Sequence, residues 1–311
     1  MIDRQQMREA LTGPVTTLRT PFDSDGDIDF EALRRHVDFV IEAGSKAVVL
    51  THGDSLYTLL TDREIAAVTK TVAEHAGRRA VVVAADNGWA TPKAVNFGRY
   101  AAMCGTDCLM VMTPDWAHSG TEETFVNHYA AVAEEIPVMA VTNVFARRPE
   151  QFGIRVLEMA AERVANFVAV KDDICGTFAR RMGLALYGEV ALFAGGQKQN
   201  HMNQMPYGCD GYLSTFMTFK PGIAHRYWSA IEEDDLQAAV EIIETYDMPF
   251  FDFVGAMTGG FDAGLHGAIE LFTGINRWRR APYYDLNDEE MEQLAAFFTD
   301  LDLMQAPPTG P

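Results

Sequence analysis

The feature that most constrains this chain is a rhythm. Short apolar runs alternate with longer amphipathic ones, and the alternation holds from residue 14 to about residue 233. Period-two and fully apolar runs predict strands at 14–20, 47–50, 80–85, 108–112, 138–141, 167–170, 190–194 and 211–213. Helical spacing fills the gaps at 30–42, 62–75, 92–103, 122–135, 149–163, 177–187, 198–205 and 221–233. Local chemistry supports the starts. Asp29 is placed to cap the first of these helices, Thr61 and Glu64 form a capping-box pair, and Pro92 sits in a first turn, where its missing N–H costs little. Strands that alternate with helices make a parallel sheet, and eight such units close into an α/β (β/α)8 TIM barrel over residues 1–233. A doubly wound open sheet is the competing arrangement. No G-x-G-x-x-G follows the first strand, which removes the usual mark of its dinucleotide-binding version. Residues 234–303 read as a C-terminal helical extension of three helices, and 304–311, rich in proline and glycine, as a disordered tail.

Charge and composition narrow the partners. A formal net charge of −19 over 311 residues opposes nucleic acid and anionic membranes, whose phosphates would be repelled. No run of 18 apolar residues offers a membrane span. The opening Met-Ile-Asp-Arg-Gln-Gln lacks the pattern of a secretory signal, so a cytoplasmic protein is expected. Cys104, Cys108, Cys175 and Cys209 form no C-x-x-C, and are expected to be reduced and mostly buried. Cys104 and Cys108 lack a second ligand pair nearby, so no metal and no cofactor are expected.

One residue stands out against this background. The run Asn166-Phe-Val-Ala-Val-Lys-Asp-Asp173 reads as a strand covered on both faces, yet Lys171 lies at its end. In a barrel, that end carries the chemistry. Partial desolvation disfavours an ammonium, and a neutral amine can attack a carbonyl to form a Schiff base. The plainer alternative is a lysine that snorkels outward and pairs with Asp172 or Asp173. Other loops that follow strands bring His52, Asp54 and Ser55, then Asp86 and Asn87, then Asp115, Trp116 and His118. The fifth strand ends in Thr142-Asn143, followed by Arg147-Arg148, and the seventh runs into Gly195-Gly196-Gln197. Such a rim suits carbonyl chemistry on an acidic substrate.

Gly13-Pro-Val-Thr-Thr-Leu-Arg-Thr-Pro-Phe22, Val170-Lys171-Asp172, Phe193-Ala-Gly-Gly196 and Gly208-Cys-Asp-Gly-Tyr-Leu-Ser214 together resemble the dihydrodipicolinate synthase / N-acetylneuraminate lyase superfamily, over about residues 11–302. The resemblance implies a barrel with C-terminal helices, assembled as a tetramer built from a dimer of dimers. It implies a class I aldolase-type lyase in which Lys171 forms an imine with a 2-oxo acid, commonly pyruvate. The family's proton-shuttling Tyr-Asn becomes Thr142-Asn143 here, and a threonine hydroxyl is a far weaker acid than a phenol. Its carboxylate-binding Gly-Thr-Thr-Gly-Glu falls on His52, Gly53, Asp54, Ser55 and Leu56, where Asp54 would repel a carboxylate unless protonated or paired. A tyrosine lent by a neighbouring subunit falls at Trp116. Arg147 matches a rim arginine for a substrate carboxylate, and Gly195 a glycine that leaves space beside the imine.

The expected catalytic set is therefore Lys171, Thr142 and His52. The expected lining is Gly53, Asp54, Ser55, Asn143, Arg147, Gly195, Trp116 and His118, with His52 and His118 the replacement acid–base groups. The partner is a small-molecule carbonyl substrate. Because the relay and the cradle both depart from the family pattern, a non-catalytic barrel that binds or senses a small organic acid is the alternative. A metal-dependent class II aldolase would want histidines clustered at strand ends, and the sequence does not supply them.

Overall fold

The computed structural model describes residues 1–304; of the tail expected at 304–311, residues 305–311 lie outside the described residues. Eight strands, β1 (Gly13–Thr17), β2 (Ala47–Val49), β3 (Val81–Ala85), β4 (Cys108–Val111), β5 (Val138–Val141), β6 (Phe167–Asp172), β7 (Ala191–Ala194) and β8 (Gly211–Leu213), pair in parallel and in order, and β8 closes on β1. The chain is a TIM barrel, as the alternation implied, and the open-sheet arrangement is excluded. Helices α2 (Phe30–Glu42), α3 (Asp62–Ala76), α4 (Thr91–Met103), α5 (Glu122–Ala133), α6 (Glu150–Arg163), α7 (Gly176–Leu186), α8 (Lys198–Gln204) and α9 (Pro221–Glu232) form the outer ring. Asp29 caps α2 by accepting the Ala32 N–H, and Thr61 and Glu64 make the capping box of α3.

A helix that the periodicity did not predict, α1 (Arg4–Leu11), precedes β1. It buries Met7 and Leu11, and its Arg4 guanidinium donates to the carbonyls of Ala161, Val164 and Phe167. These bonds satisfy backbone acceptors where α6 ends and β6 begins, so α1 closes the amino-terminal end of the barrel.

The C-terminal helices are α10 (Leu236–Ile242), a π-helical turn (Ile243–Asp247), α11 (Met248–Ala256), α12 (Gly260–Thr273) and α13 (Asp288–Asp300). They bury a phenylalanine-rich core against the barrel. Phe216 and Phe219, from the segment after β8, join Phe250 and Phe298 in a cluster with ring centroids 5.3–5.9 Å apart. Polar ties reinforce this seam. Asp262 of α12 accepts Arg19 and Arg279, each at 2.5 Å, and Arg19 also reaches Asp54 at 3.1 Å. Lys198 pairs with Asp247 at 2.5 Å, both side chains 1% exposed. Among the described residues, no helix is long and apolar enough to cross a membrane. All four cysteines are free; only Cys108 is fully buried and the other three are half-buried, which corrects the expectation of mostly buried thiols.

Candidate active site

Register places the lysine. β6 runs two residues further than its apolar run, so Lys171 is itself a ladder residue, level with Val141 on β5 and Phe193 on β7. Alternation along the strand turns Lys171 into the barrel and Asp172 out toward the helices. Two residues on, Asp173 shares the face of Lys171, and the Lys171 Nζ donates to the Asp173 carboxylate. Of the two partners that the sequence allowed for an ion pair, the structure selects Asp173. Lys171 is 6% exposed.

The amine opens on a cavity of about 290 Å³. His52, Gly53, Asp54, Asn143 and Asp173 line it with Lys171. It lies at the carboxyl ends of the strands, where barrel enzymes work. Larger hollows of about 540 and 790 Å³ lie beside the amino-terminal ends of β3 and β5, away from this rim. Past Asp54, Gly196 and Leu213 the cleft continues into a recess of about 310 Å³ roofed by Phe251 and Phe261 of the C-terminal helices. On the other side, Asn143 also borders a recess of about 330 Å³ formed with Trp116, His118 and Arg147. Arg148 is spent on Asp115 at 2.7 Å, which holds the carboxyl of Asp115 below its ordinary range and leaves Arg147 as the exposed cation of the pair.

Several expected roles are corrected by where the side chains lie. Thr142 is fully buried and its hydroxyl is fully engaged: it donates to Asp172 Oδ1 at 2.8 Å and accepts the Asp173 N–H at 2.8 Å. It cannot also shuttle protons in the cavity. Ser55 is likewise turned inward, donating to the Leu18 carbonyl at 2.6 Å and accepting the Thr51 N–H at 3.0 Å. It shapes the loop and lines nothing. Trp116 and His118 stand on the outer recess, not beside the amine, and Trp116 is 87% exposed. Asp54 is paired, as a carboxylate in that position requires, and its partner is Arg19, which the sequence reading passed over. Gly195 lies behind Asp173: a Cβ there would collide with the Asp173 carboxylate and the Asp172 carbonyl.

Burial sets the electrostatics of the surrounding shell. It raises the Asp172 carboxyl, against bonds from Thr142 and from the N–H groups of Cys175 and Ile174. It raises Asp86, at the end of β3, to about 7, although the Met112 and Gly88 N–H groups favour the carboxylate. One oxygen of Asp86 is buried without a partner, and one ring nitrogen of His52 is in the same position.

The chain and its fold have parallels among known proteins. The chain matches the model of the dihydrodipicolinate synthetase family over residues 10–301. The chain belongs to that family. It is 30% identical over 294 residues to a probable 5-dehydro-4-deoxyglucarate dehydratase of Streptomyces coelicolor, covering 91% of this chain and 90% of that one. A 4-hydroxy-tetrahydrodipicolinate synthase of Geobacter metallireducens is 27% identical, over 74% of this chain and 79% of the other. Among solved structures, dihydrodipicolinate synthase from Oceanobacillus iheyensis superposes with a TM-score of 0.81 at 20% identity, covering 97% of this chain and all of that one. N-acetylneuraminate lyase from Fusobacterium nucleatum gives 0.79 at 17% identity, over 94% and 99% of the two chains. At such identities these two report the shared fold. In this chain the group that meets the Lys171 amine is an aspartate, Asp173.

Proposed function

We propose that this family member is a class I lyase, an aldolase or dehydratase, that forms a Schiff base between Lys171 and a 2-oxo acid or related small carbonyl compound. The observation that carries the reading is the buried Lys171 amine, facing a cavity at the carboxyl ends of the strands beside a carboxylate that can take its proton. Once deprotonated, the amine adds to the carbonyl and loses water. The resulting iminium withdraws electrons from the neighbouring carbon, which eases C–C cleavage, C–C formation or loss of a hydroxyl. The dehydratase named in Streptomyces coelicolor supports an oxo acid as the substrate type. His52, Asp54 and Asn143 surround the bound carbonyl, and Arg147, across Asn143, receives a more distant anionic group.

Borohydride trapping tests this directly. Incubation with pyruvate, 2-oxobutanoate or oxaloacetate, followed by reduction, is expected to add the reduced oxo acid to Lys171, read by peptide mass spectrometry. Lys171→Ala is expected to yield no adduct. An unlabelled wild type across the series would remove the covalent mechanism, and ligand-induced thermal stabilisation that survives Lys171→Ala would then favour a binding role.

The same reading places the protein in the cytoplasm as a homotetramer, a dimer of dimers, without nucleic-acid partners. The charge of −19 supports the last point, and an exposed Trp116 is the kind of side chain that subunit association covers. Light scattering coupled to gel filtration measures the oligomer.

A further inference from the structure

We infer that Asp173 is the proton-transfer residue of this site, a catalytic group in direct contact with the reacting nitrogen. The inference rests on the Lys171 reading above and adds to it the identity of the acid–base.

Three independent features converge on Asp173. Its carboxylate accepts the Lys171 Nζ and lines the same cavity. The chain builds a support for it: Thr142 and Asp172 together hold the Asp173 backbone, because the Asp172 carboxylate fixes the Thr142 hydroxyl, which takes the Asp173 N–H. Asp172 is itself anchored by the N–H of Cys175 at 2.9 Å. Finally, the space that the carboxylate occupies exists because residue 195 has no side chain. The other candidates are placed less well. Asp54 is bound to Arg19, His118 stands in the outer recess, and His52 lines the cavity without a bond to the amine.

One carboxylate suffices for every proton in the sequence. Asp173 takes a proton from the Lys171 ammonium, and the free amine attacks the carbonyl carbon. The C–N bond forms, the C=O π pair moves to oxygen, and that oxygen takes the proton back from Asp173. The nitrogen, now cationic, returns a proton to Asp173, leaving a neutral carbinolamine. Asp173 protonates the hydroxyl, water departs, and the nitrogen lone pair closes the iminium. The carboxylate so regenerated removes a proton from the adjacent carbon, and the C–H pair moves into the enamine while the nitrogen becomes neutral.

The test follows deuterium exchange at C3 of pyruvate and of 2-oxobutanoate by NMR, together with the rate of borohydride trapping. Asp173→Asn is expected to slow both by at least about 100-fold, the usual contribution of a positioned acid–base group. Its fold, read by circular dichroism, is expected to stay that of the wild type. In Asp173→Ala, formate is expected to enter the vacated space and restore exchange, and to restore none in Lys171→Ala. Wild-type trapping with exchange unchanged in Asp173→Asn overturns the role of Asp173 and leaves Lys171 standing. So does a rate loss that formate leaves untouched while the thermal midpoint falls, because that is the signature of a structural residue. No wild-type adduct with either acid overturns both readings.

Discussion

Thr142 and Asp172, thirty residues apart, form a buried pair in which the threonine hydroxyl donates to the aspartate at 2.8 Å and the same oxygen accepts the Asp173 N–H. The pair turns the end of β6 into a mount. Thr142→Val keeps the shape and removes both bonds, leaving a buried carboxylate and an N–H short of a partner. A loss of about 1–3 kcal/mol of unfolding free energy is expected from each such group. Activity should fall along with stability, because Asp173 is no longer held against the amine. Thr142→Ser retains both bonds and should restore most of each. Urea unfolding of the three proteins decides it: equal stability for Val and Ser would mean that the hydroxyl contributes nothing.

Gly195 makes a steric prediction. Its N–H donates to the Asp172 carbonyl at 2.6 Å, and an added Cβ would overlap the Asp173 carboxylate. Gly195→Ala is therefore expected to push that carboxylate off the amine, at a cost of roughly 1–3 kcal/mol for an overpacked site. Trapping on Lys171 should slow more than stability alone explains. An alanine variant that traps at the wild-type rate would place Asp173 elsewhere.

Much of this was legible in the sequence, for identifiable reasons. The apolar runs at 138–141 and 211–213 end where their strands end, and Asp29 marks the start of α2, because local chemistry decides those boundaries. Lys171 was visible as a charge closing an apolar strand. Asp173 could have been found by the same alternation that set Asp172 aside, since residues two apart share a face. What local pattern cannot carry is partnership over distance. Arg19 meets Asp262 across 243 positions, and Lys198 meets Asp247 across 49. Helix α1 was legible too, since Met7, Ala10 and Leu11 stand at helical spacing and Asp3 and Gln6 form a capping box; its eight residues make only about two turns, which is short for a pattern to stand out. The role of Thr142 is not legible from its position, because its hydroxyl points to Asp172 and the Asp173 N–H, contacts that only the fold creates.

The Lys198–Asp247 pair joins α8 to the π-helical turn of the extension, with both side chains 1% exposed. Burial lowers the Lys198 ammonium and raises the Asp247 carboxyl, and each charge offsets the other's shift in part. Removing one partner leaves an uncompensated buried charge. Lys198→Met should cost about 3–5 kcal/mol, whereas the double change with Asp247→Leu should recover most of it. A double-mutant cycle by chemical unfolding measures the coupling, and additive losses would show that the pair is not a unit.

Acid stability follows from four buried histidines. Burial holds His36, His128 and His201 at about 4 and His266 at about 3, against an ordinary value of 6.5. Below pH 6.5 the unfolded chain takes up protons that the folded one refuses, so unfolding is favoured as the pH falls from about 6.5 toward 4. Asp86 works the opposite way. Raised to about 7, it holds a proton in the folded state that the unfolded chain releases, so its effect lowers stability as the pH rises from about 4 to 7. Asp172 and Asp247, also raised by burial, act with Asp86, whereas Glu64 and Asp262, held low by their arginines, act with the four histidines; the histidine side is expected to set the net direction, with each proton worth about 1.4 kcal/mol per pH unit at most. Unfolding free energy measured between pH 7 and 4.5 is expected to decline on acidification. His36→Leu should flatten that decline by about one proton and Asp86→Asn should steepen it by about one. A flat or rising wild-type profile would show that the buried imidazoles accept protons inside the fold.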